Sequence, residues 1–214
     1  MKNYGRVTLA LLGVWFAIAV VLGGGHWLQN TGNRIGVGVA IAAGAPLIVF
    51  ALWAAGSKGF REFLLGLNPR VLTASQVWRL MGVVFVVLEA RNLLPSVFAL
   101  SAGYGDMFIG ATATLVAWLL AKPEHRGSFI LWQVLGIADL VLAVSLGVTV
   151  PLLQPSGPTT GLMTELPLSL IPTFFVPLFL MMHVVAIAQA RKWGGVLTRR
   201  RTVMAEVLGG GVGD

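Results

Sequence analysis

Residues 128–150 read SFILWQVLGIADLVLAVSLGVTV, and this stretch decides the fold class. It contains 23 residues, of which Asp139 alone is charged. A helix rises about 1.5 Å per residue, so the stretch is long enough to cross a hydrocarbon core about 30 Å thick. It is much longer than a strand of a membrane β-barrel, which needs about 9–11 residues. The stretch therefore predicts a transmembrane α-helix.

Five further stretches have the same character. The six predicted spans lie near residues 7–23, 35–55, 74–94, 104–121, 128–150 and 168–190. The 214-residue chain is 57% hydrophobic and 11% charged, whereas a soluble domain devotes about a quarter of its residues to charged types. This excludes a soluble or disordered protein. We expect an all-α, multi-pass membrane protein with one six-helix bundle over residues 1–190 and a basic cytoplasmic tail over residues 191–214.

The segment between the second and third spans has a different pattern. Its apolar residues recur at helical spacing at Phe60, Phe63, Leu64 and Leu67. Its charged residues point the opposite way and are Lys58, Arg61 and Glu62. An amphipathic helix of this kind lies in the plane of the membrane interface. We therefore predict a short interfacial helix on the cytoplasmic surface.

Basic residues concentrate in alternate loops and give the orientation. One set of loops and ends contains Lys2, Arg6, Lys58, Arg61, Arg70, Lys122, Arg126, Arg191, Lys192, Arg199, Arg200 and Arg201, whereas the other contains Arg34. Because basic residues collect on the cytoplasmic side, both termini are predicted to be cytoplasmic in a plasma (bacterial inner) membrane. The net charge of +7 then indicates anionic lipid headgroups as a partner, not nucleic acid.

Several polar side chains fall inside the predicted spans, where each needs a physical reason. The candidates for binding a substrate or a proton are Glu89, Arg91, Asn92, Asp106, Asp139 and His183. Glu89 and Asp139 carry the hypothesis, because an ionised carboxylate at that depth must be paired or hydrated. Arg91, Asn92 and Asp106 would shape a cavity that opens outward, beside a sixth span kinked by Pro172 and Pro177.

Each candidate also has a structural interpretation. Asp106 could cap the first turn of the fourth span. Arg79, a further charged residue inside the third predicted span, could extend to the headgroups along its aliphatic stem. His183 could bond to a neighbouring helix, and the buried charges could be bridges between helices. Counting from the predicted boundaries places Asp106 and Asp139 roughly 13 Å apart along the membrane normal.

The sequence argues against several cofactor chemistries, and it identifies no cofactor. The lysines are all interfacial, so none can bind retinal at membrane depth. The chain has three histidines and no cysteine, which argues against a two-histidine haem site, a zinc centre and an iron–sulfur cluster. It also lacks a phosphate-binding loop of the Walker type. An enzyme is therefore the less favoured class.

One short motif points to a particular enzyme class. Gly103-Tyr104-Gly105-Asp106 resembles the G-x-G-D signature of intramembrane aspartyl proteases such as presenilins and prepilin peptidases. The resemblance implies that Asp106 would be one catalytic aspartate and Asp139 the other. In those families the other aspartate precedes the motif, whereas Asp139 follows it.

Three functional hypotheses result. The leading one is a small-molecule transporter or ligand-binding membrane protein, proton-linked through its intramembrane carboxylates. The alternative is an accessory or assembly subunit without a small-molecule site, and the remote alternative is the aspartyl protease. The glycine and alanine spacing of the second span, at Gly36, Ala40 and Gly44, allows close helix packing. We interpret it first as packing within one chain, and the alternative is a homo-oligomer or a partner membrane subunit.

Overall fold

A computed structural model of the chain describes residues 2–29, 36–153 and 157–209, and these residues contain helices and no β-strand. The first helix, α1, comprises Lys2–Gly24, and α2 comprises Val37–Gly56. A short helix, α3, follows at Lys58–Leu65. The Ser57 side chain caps it by accepting a hydrogen bond from the backbone nitrogen of Phe60. A helix is thus present where the sequence predicts the interfacial segment.

The third long helix runs over residues 69–90 and is not uniform. It consists of α4 (Pro69–Ala74), a 3₁₀ segment (Ser75–Gly82) and α5 (Val83–Ala90). It begins five residues before the predicted span, because Pro69 occupies the first turn and the Asn68 side chain accepts from the backbone nitrogen of Arg70 at 2.9 Å. It ends before Asn92, whose φ of 57° is left-handed.

The remaining helices complete the bundle. Helix α6 is Ser96–Leu119 and begins directly after Pro95, eight residues before the predicted fourth span. A 3₁₀ turn (Pro123–His125) leads into α7, Arg126–Leu153. A second 3₁₀ turn (Gly161–Thr164) and a π-helical turn (Ile171–Phe175) precede α8, Val176–Gly209. The helical backbone of α8 thus continues through most of the predicted tail, whereas residues 210–214 lie outside the described residues.

Five helical segments are long and apolar enough to cross a membrane: Asn3–Gly24, Val37–Gly56, Pro69–Ala90, Pro123–Val150 and Ile171–Trp193. This confirms the all-α class and indicates a membrane protein. Helix α6 has sufficient length but is not among the five. Asp106, three glycines and several hydroxyl-bearing residues lower its mean hydropathy.

The third helix, α6, α7 and α8 pack closely together, whereas α1 and α2 lie at the periphery. Apolar clusters fill this bundle, one around Phe129, Trp132 and Ile109 and another around Phe85, Phe98 and Met163. On the peripheral helices large apolar side chains such as Leu9 and Ile41 are exposed. Exposed apolar surface over whole helices is consistent with a lipid environment.

The first helix is anchored to the region before α8 through a backbone group that a proline leaves free. Pro177 has no N–H to donate to the carbonyl of Thr173 one turn earlier. The indole nitrogen of Trp15 donates to that carbonyl at 3.0 Å, and its ring lies 4.6 Å from the ring of Phe174 between centroids. A neighbouring helix thus supplies the missing donor, as backbone groups within a membrane require.

Replacing Trp15 with phenylalanine should therefore lower the free energy of unfolding by about 1 kcal/mol, the net value of one hydrogen bond plus some lost contact area. The measurement is reversible unfolding in mixed micelles followed by circular dichroism. In a Pro177→Ala background the restored backbone N–H can bond to Thr173, so the same replacement should cost less. Equal costs in both backgrounds would mean that the indole does not compensate for Pro177.

Candidate functional site

The 3₁₀ segment aligns a buried stripe of polar residues on the third helix. A 3₁₀ helix has three residues per turn, so residues three apart lie directly above one another. The buried positions follow this spacing at Thr73, Gln76, Arg79, Gly82 and Phe85. The intervening large residues Val77, Trp78, Leu80 and Met81 are exposed. A run of eight 3₁₀ residues is unusual, and such runs mark functional hinges or strain.

Arg79 is the centre of the site, and its side chain is 1% exposed. Its Nε donates to Oδ1 of Asp106 on α6 at 2.7 Å. Its Nη2 donates to Oδ2 of Asp139 on α7. Its Nη1 donates to the carbonyl oxygen of Gly136 at 3.2 Å. One guanidinium therefore joins three helices through charge-assisted hydrogen bonds.

His183 on α8 extends this network, and its tautomer follows from its partners. Nη1 of Arg79 lies 3.3 Å from Nε2 of His183. Arginine can only donate, so Nε2 must be the acceptor. The proton is then on Nδ1, which faces Oε1 of Gln133. The Gln133 amide nitrogen in turn donates to the Thr73 hydroxyl oxygen at 2.9 Å. The imidazole is therefore neutral, and the network returns to the helix on which it began.

Glycines allow the four helices to approach closely at this level. A Cβ on Gly105 would overlap the Asp139 carboxylate, and a Cβ on Gly136 would overlap the His183 ring. A Cβ on Gly110 would lie 2.6 Å from the backbone nitrogen of Leu80. Small residues permit such close backbone contacts between helices in lipid. The close packing at this site therefore depends on glycines, which have no side chain, as much as on the polar residues.

We call Arg79, Asp106, Asp139 and His183 the charged cluster, and its formal charges do not balance. The guanidinium contributes one positive charge, the two aspartates contribute two negative charges when ionised, and the imidazole contributes none. The aspartate side chains are 13% and 14% exposed. Isolated charge is costly in such surroundings. The cluster therefore has the capacity to take up one proton or one cationic group.

Two cavities lie beside the cluster and have Asp106 in both linings. One has a volume of about 280 Å³ and lies between the third helix and the start of α8. The other has a volume of about 390 Å³ and lies between α2, α6 and α7. They share Phe85, Asp106, Leu140, Ile171 and Val176 as lining residues. Both extend toward the end of the bundle at which α2 begins and α7 ends, as the lining residues Val37, Val148 and Pro167 show.

Residues 36–191 match the family model described as a domain of unknown function, DUF8737. The match covers well over half of the chain. The chain belongs to the DUF8737 family. No curated protein and no solved structure matches it. The matched part of this DUF8737 member contains the whole charged cluster and all of the described residues that line the two cavities.

In the DUF8737 chain, three of the six residues predicted for the site lie together. Asp106, Asp139 and His183 converge on Arg79. Glu89 lies elsewhere, because its Oε1 accepts from the Ser96 hydroxyl at 2.8 Å. Arg91 and Asn92 are exposed in the turn before α6. Of the three residues expected to shape an outward cavity, Asp106 lines both cavities, whereas Arg91 and Asn92 line neither.

Three structural interpretations made from the sequence are wrong in this DUF8737 member. Arg79 does not extend to the headgroups, because its side chain is 1% exposed and bound to two aspartates. Asp106 does not cap a helix, because α6 begins ten residues earlier at Ser96. Asp106 and Asp139 are not separated by 13 Å, because both bind the same guanidinium.

Sequence reasoning also missed buried polar residues at this site in the DUF8737 chain. It gave Arg79 a surface role and did not include Gln76, Gln133 or Thr73 in the site. Gln76 is completely buried, and its amide has no hydrogen-bond partner among the described residues. A buried amide left unpaired costs about 1–3 kcal/mol. The available signal was the spacing of three in Thr73, Gln76, Arg79 and Gly82, which fits a 3₁₀ helix better than an α-helix.

Proposed function

We propose that this chain is a small-molecule transporter or ligand-binding protein of the membrane, with the charged cluster as its binding and proton-exchange centre. One observation carries the proposal: two carboxylates share one guanidinium beside a neutral histidine. A bridge that served only to join helices would be expected to balance its charges, because uncompensated charge in a low-dielectric interior is costly. The excess carboxylate is suited to a proton or a cationic ligand that binds and leaves.

The location of the cluster supports the same function. Asp106 lines two cavities whose other lining residues are nearly all apolar, and small-molecule sites are typically apolar with a few convergent polar groups. The 3₁₀ segment and the π-helical turn both contribute to the lining of the smaller cavity, through Arg79 and Ile171 respectively. Irregular helices of this kind are common where membrane proteins bind substrates.

The proposed topology has six spans, with both termini cytoplasmic in a plasma (bacterial inner) membrane. We include α6 as the fourth span because it packs between the third helix and α7, and because Asp106 is paired with Arg79. We place α3 at the cytoplasmic interface. Its Phe60 ring stacks on Trp53 with centroids 3.8 Å apart, while the Lys58 side chain is exposed and available to anionic headgroups.

The aspartyl protease is the least supported of the three hypotheses. A catalytic pair of carboxylates shares a proton or a water between them. Here the guanidinium of Arg79 binds both carboxylates directly. A peptide bond approaching Asp106 and Asp139 would first have to displace that guanidinium. We do not propose proteolysis for this chain.

Replacing Asp139 with asparagine should reduce substrate-linked proton movement at least about tenfold, since the change removes the titratable group while keeping an oxygen for Arg79. The assay uses proteoliposomes with an entrapped pH indicator, to which small organic cations, neutral compounds and anions are added in turn. Glu89→Gln is the matched control, because it removes a carboxylate outside the cluster. Its rate should equal that of the unmodified protein.

Two outcomes would contradict the proposal. One is a stably inserted Asp139→Asn protein with unchanged proton movement. The other is an unmodified protein that moves neither protons nor any compound of the three charge classes. The accessory-subunit hypothesis is favoured by the extensive pairing of Arg79, whose Nε, Nη1 and Nη2 all donate. It predicts that Asp139→Asn lowers the yield of folded protein without altering any flux.

A further inference from the structure

The two oxygens of the Asp106 carboxylate have different environments. Oδ1 accepts from Nε of Arg79 at 2.7 Å. For Oδ2, no hydrogen bond or ion pair is present within the described part of the chain. The Asp106 side chain is 13% exposed, and it lines both cavities. One carboxylate oxygen therefore remains available to a donor that enters from the cavities.

The walls around that oxygen are apolar. The larger cavity, of about 390 Å³, is lined by side chains such as Ala102, Ala143, Val148 and Met163, and Asp106 is the one charged residue among the described residues that line it. Its volume falls within the range of about 300–1,000 Å³ that is typical of small-molecule sites. The cavity thus fits an apolar body of roughly ten to fifteen heavy atoms that ends in one polar group.

The charge of the cluster indicates which polar group the ligand should have. An anion would find Arg79 already bound to two carboxylates. A metal cation such as Mg²⁺ or Ca²⁺ needs about six or more oxygen ligands, and the described cavity walls supply one carboxylate. An ammonium group needs fewer oxygen ligands, because it can donate to Oδ2 of Asp106 while the apolar body of the same molecule fills the cavity. It would also cancel the excess negative charge of the cluster.

We propose that the substrate is an amphiphilic organic amine, bound with its ammonium group at Oδ2 of Asp106 and its apolar body in the cavity between α2, α6 and α7. The proposal rests on the transport or binding function argued above and names its substrate class. A proton on the cluster and the ammonium group would then compete for the same excess negative charge. Binding of the amine should therefore release a proton when the cluster is protonated.

The test compares three probes with one body: 4-phenylbutylamine, 4-phenylbutanol and 4-phenylbutyrate. Each is titrated into the full chain in phosphatidylcholine nanodiscs, with empty nanodiscs subtracted to remove partitioning into lipid. The amine should bind at least about tenfold more tightly than the alcohol, the value of one charge-assisted hydrogen bond, and the butyrate should bind most weakly. In Asp106→Asn the preference for the amine over the alcohol should fall to less than about twofold.

A second pair of variants tests the position of the apolar body. Ala143 lines the larger cavity, so Ala143→Phe should weaken the binding of amine and alcohol alike. Ala138 lies on the same helix, is exposed and lines neither of the two cavities, so Ala138→Phe should leave both affinities unchanged. This pair keeps the test decisive if Asp106→Asn fails to fold.

Equal affinity for amine and alcohol, tightest binding of the butyrate, or an unchanged amine preference in Asp106→Asn would overturn the proposed substrate class. Equal effects of Ala143→Phe and Ala138→Phe would overturn the proposed cavity. These failures are separate from a failure of the proposed function. Binding is measured here without flux, whereas the proteoliposome assay detects flux for compounds of any charge.

Discussion

Replacing Arg79 with methionine is expected to lower the free energy of unfolding by about 3–5 kcal/mol, the cost of removing one partner from a buried ionic network. Asp106 and Asp139 would lose their guanidinium partner, and the Gly136 carbonyl and His183 would lose a donor. The measurement is reversible unfolding in mixed micelles followed by circular dichroism. The matched control is Arg91→Met, because Arg91 is exposed at the end of the same helix, and its effect should stay within about 0.5 kcal/mol.

Neutralising the carboxylates should rescue the methionine variant. In Arg79→Met combined with Asp106→Asn and Asp139→Asn, no charge remains to be compensated, and replacing a whole buried ionic group is often nearly neutral for stability. We expect most of the lost free energy of unfolding to return. Arg79→Lys should be intermediate, because one ammonium cannot match the geometry of a guanidinium that binds two carboxylates. A single Arg79→Met variant as stable as the unmodified protein would show that the cluster does not hold the bundle together.

Hydropathy was sufficient to predict the helical class because it depends only on local composition. The length of each apolar stretch shows whether it can span a membrane, and the charges of the loops predict how the chain is oriented in that membrane. The same reasoning identified Asp106, Asp139 and His183 as buried polar residues that need a reason. It could not identify their partners, because lateral contacts between helices depend on packing that no single stretch contains.

Errors in helix boundaries explain why depth was misjudged. The predicted fourth span started at residue 104, which put Asp106 in a first turn, whereas α6 starts at Ser96. At about 1.5 Å per residue this shift moves Asp106 by roughly 12 Å, from the end of a helix toward its middle. Glu89 is closer to a helix end than predicted, because the third helix ends at Ala90 and not near residue 94. Glu89 therefore lies near a helix end, where Asp106 was expected, and Asp106 lies well inside a helix, where Glu89 was expected.

The 3₁₀ segment was the second feature that local reasoning could not supply. Arg79 and Gln76 face the bundle because residues 75–82 wind at three residues per turn. In an α-helix with 3.6 residues per turn, Thr73 and Gly82 would face opposite sides of the helix. The role of the glycines of α6 and α7 could not be predicted from the sequence either, because it depends on which side chain of a neighbouring helix packs against each glycine. This applies most strongly to Gly105.

Gly105→Ala should destabilise the protein by about 3 kcal/mol, although it adds a single methyl group. The new Cβ would overlap the Asp139 carboxylate, so either the carboxylate leaves Arg79 or α6 and α7 separate. Overpacking costs about 1–3 kcal/mol, and a lost hydrogen bond to a charged group costs about 1.5–3 kcal/mol. The control is Gly127→Ala near the start of α7, where a Cβ would meet nothing within 4 Å. Since alanine favours helix over glycine by up to about 1 kcal/mol, the control should be neutral or stabilising.

A double-mutant cycle separates this packing effect from a general intolerance of alanine at residue 105. Asp139→Ala removes the carboxylate that the new methyl group would meet and leaves Arg79 paired with Asp106. In that background Gly105→Ala should cost at least about 1 kcal/mol less than in the unmodified chain, because residues in contact show coupling of this size. The same cost in both backgrounds would mean that Gly105 is required for a reason other than the approach of Asp139. Strong coupling would show that the absence of a side chain at residue 105 is what allows the second carboxylate to reach the guanidinium.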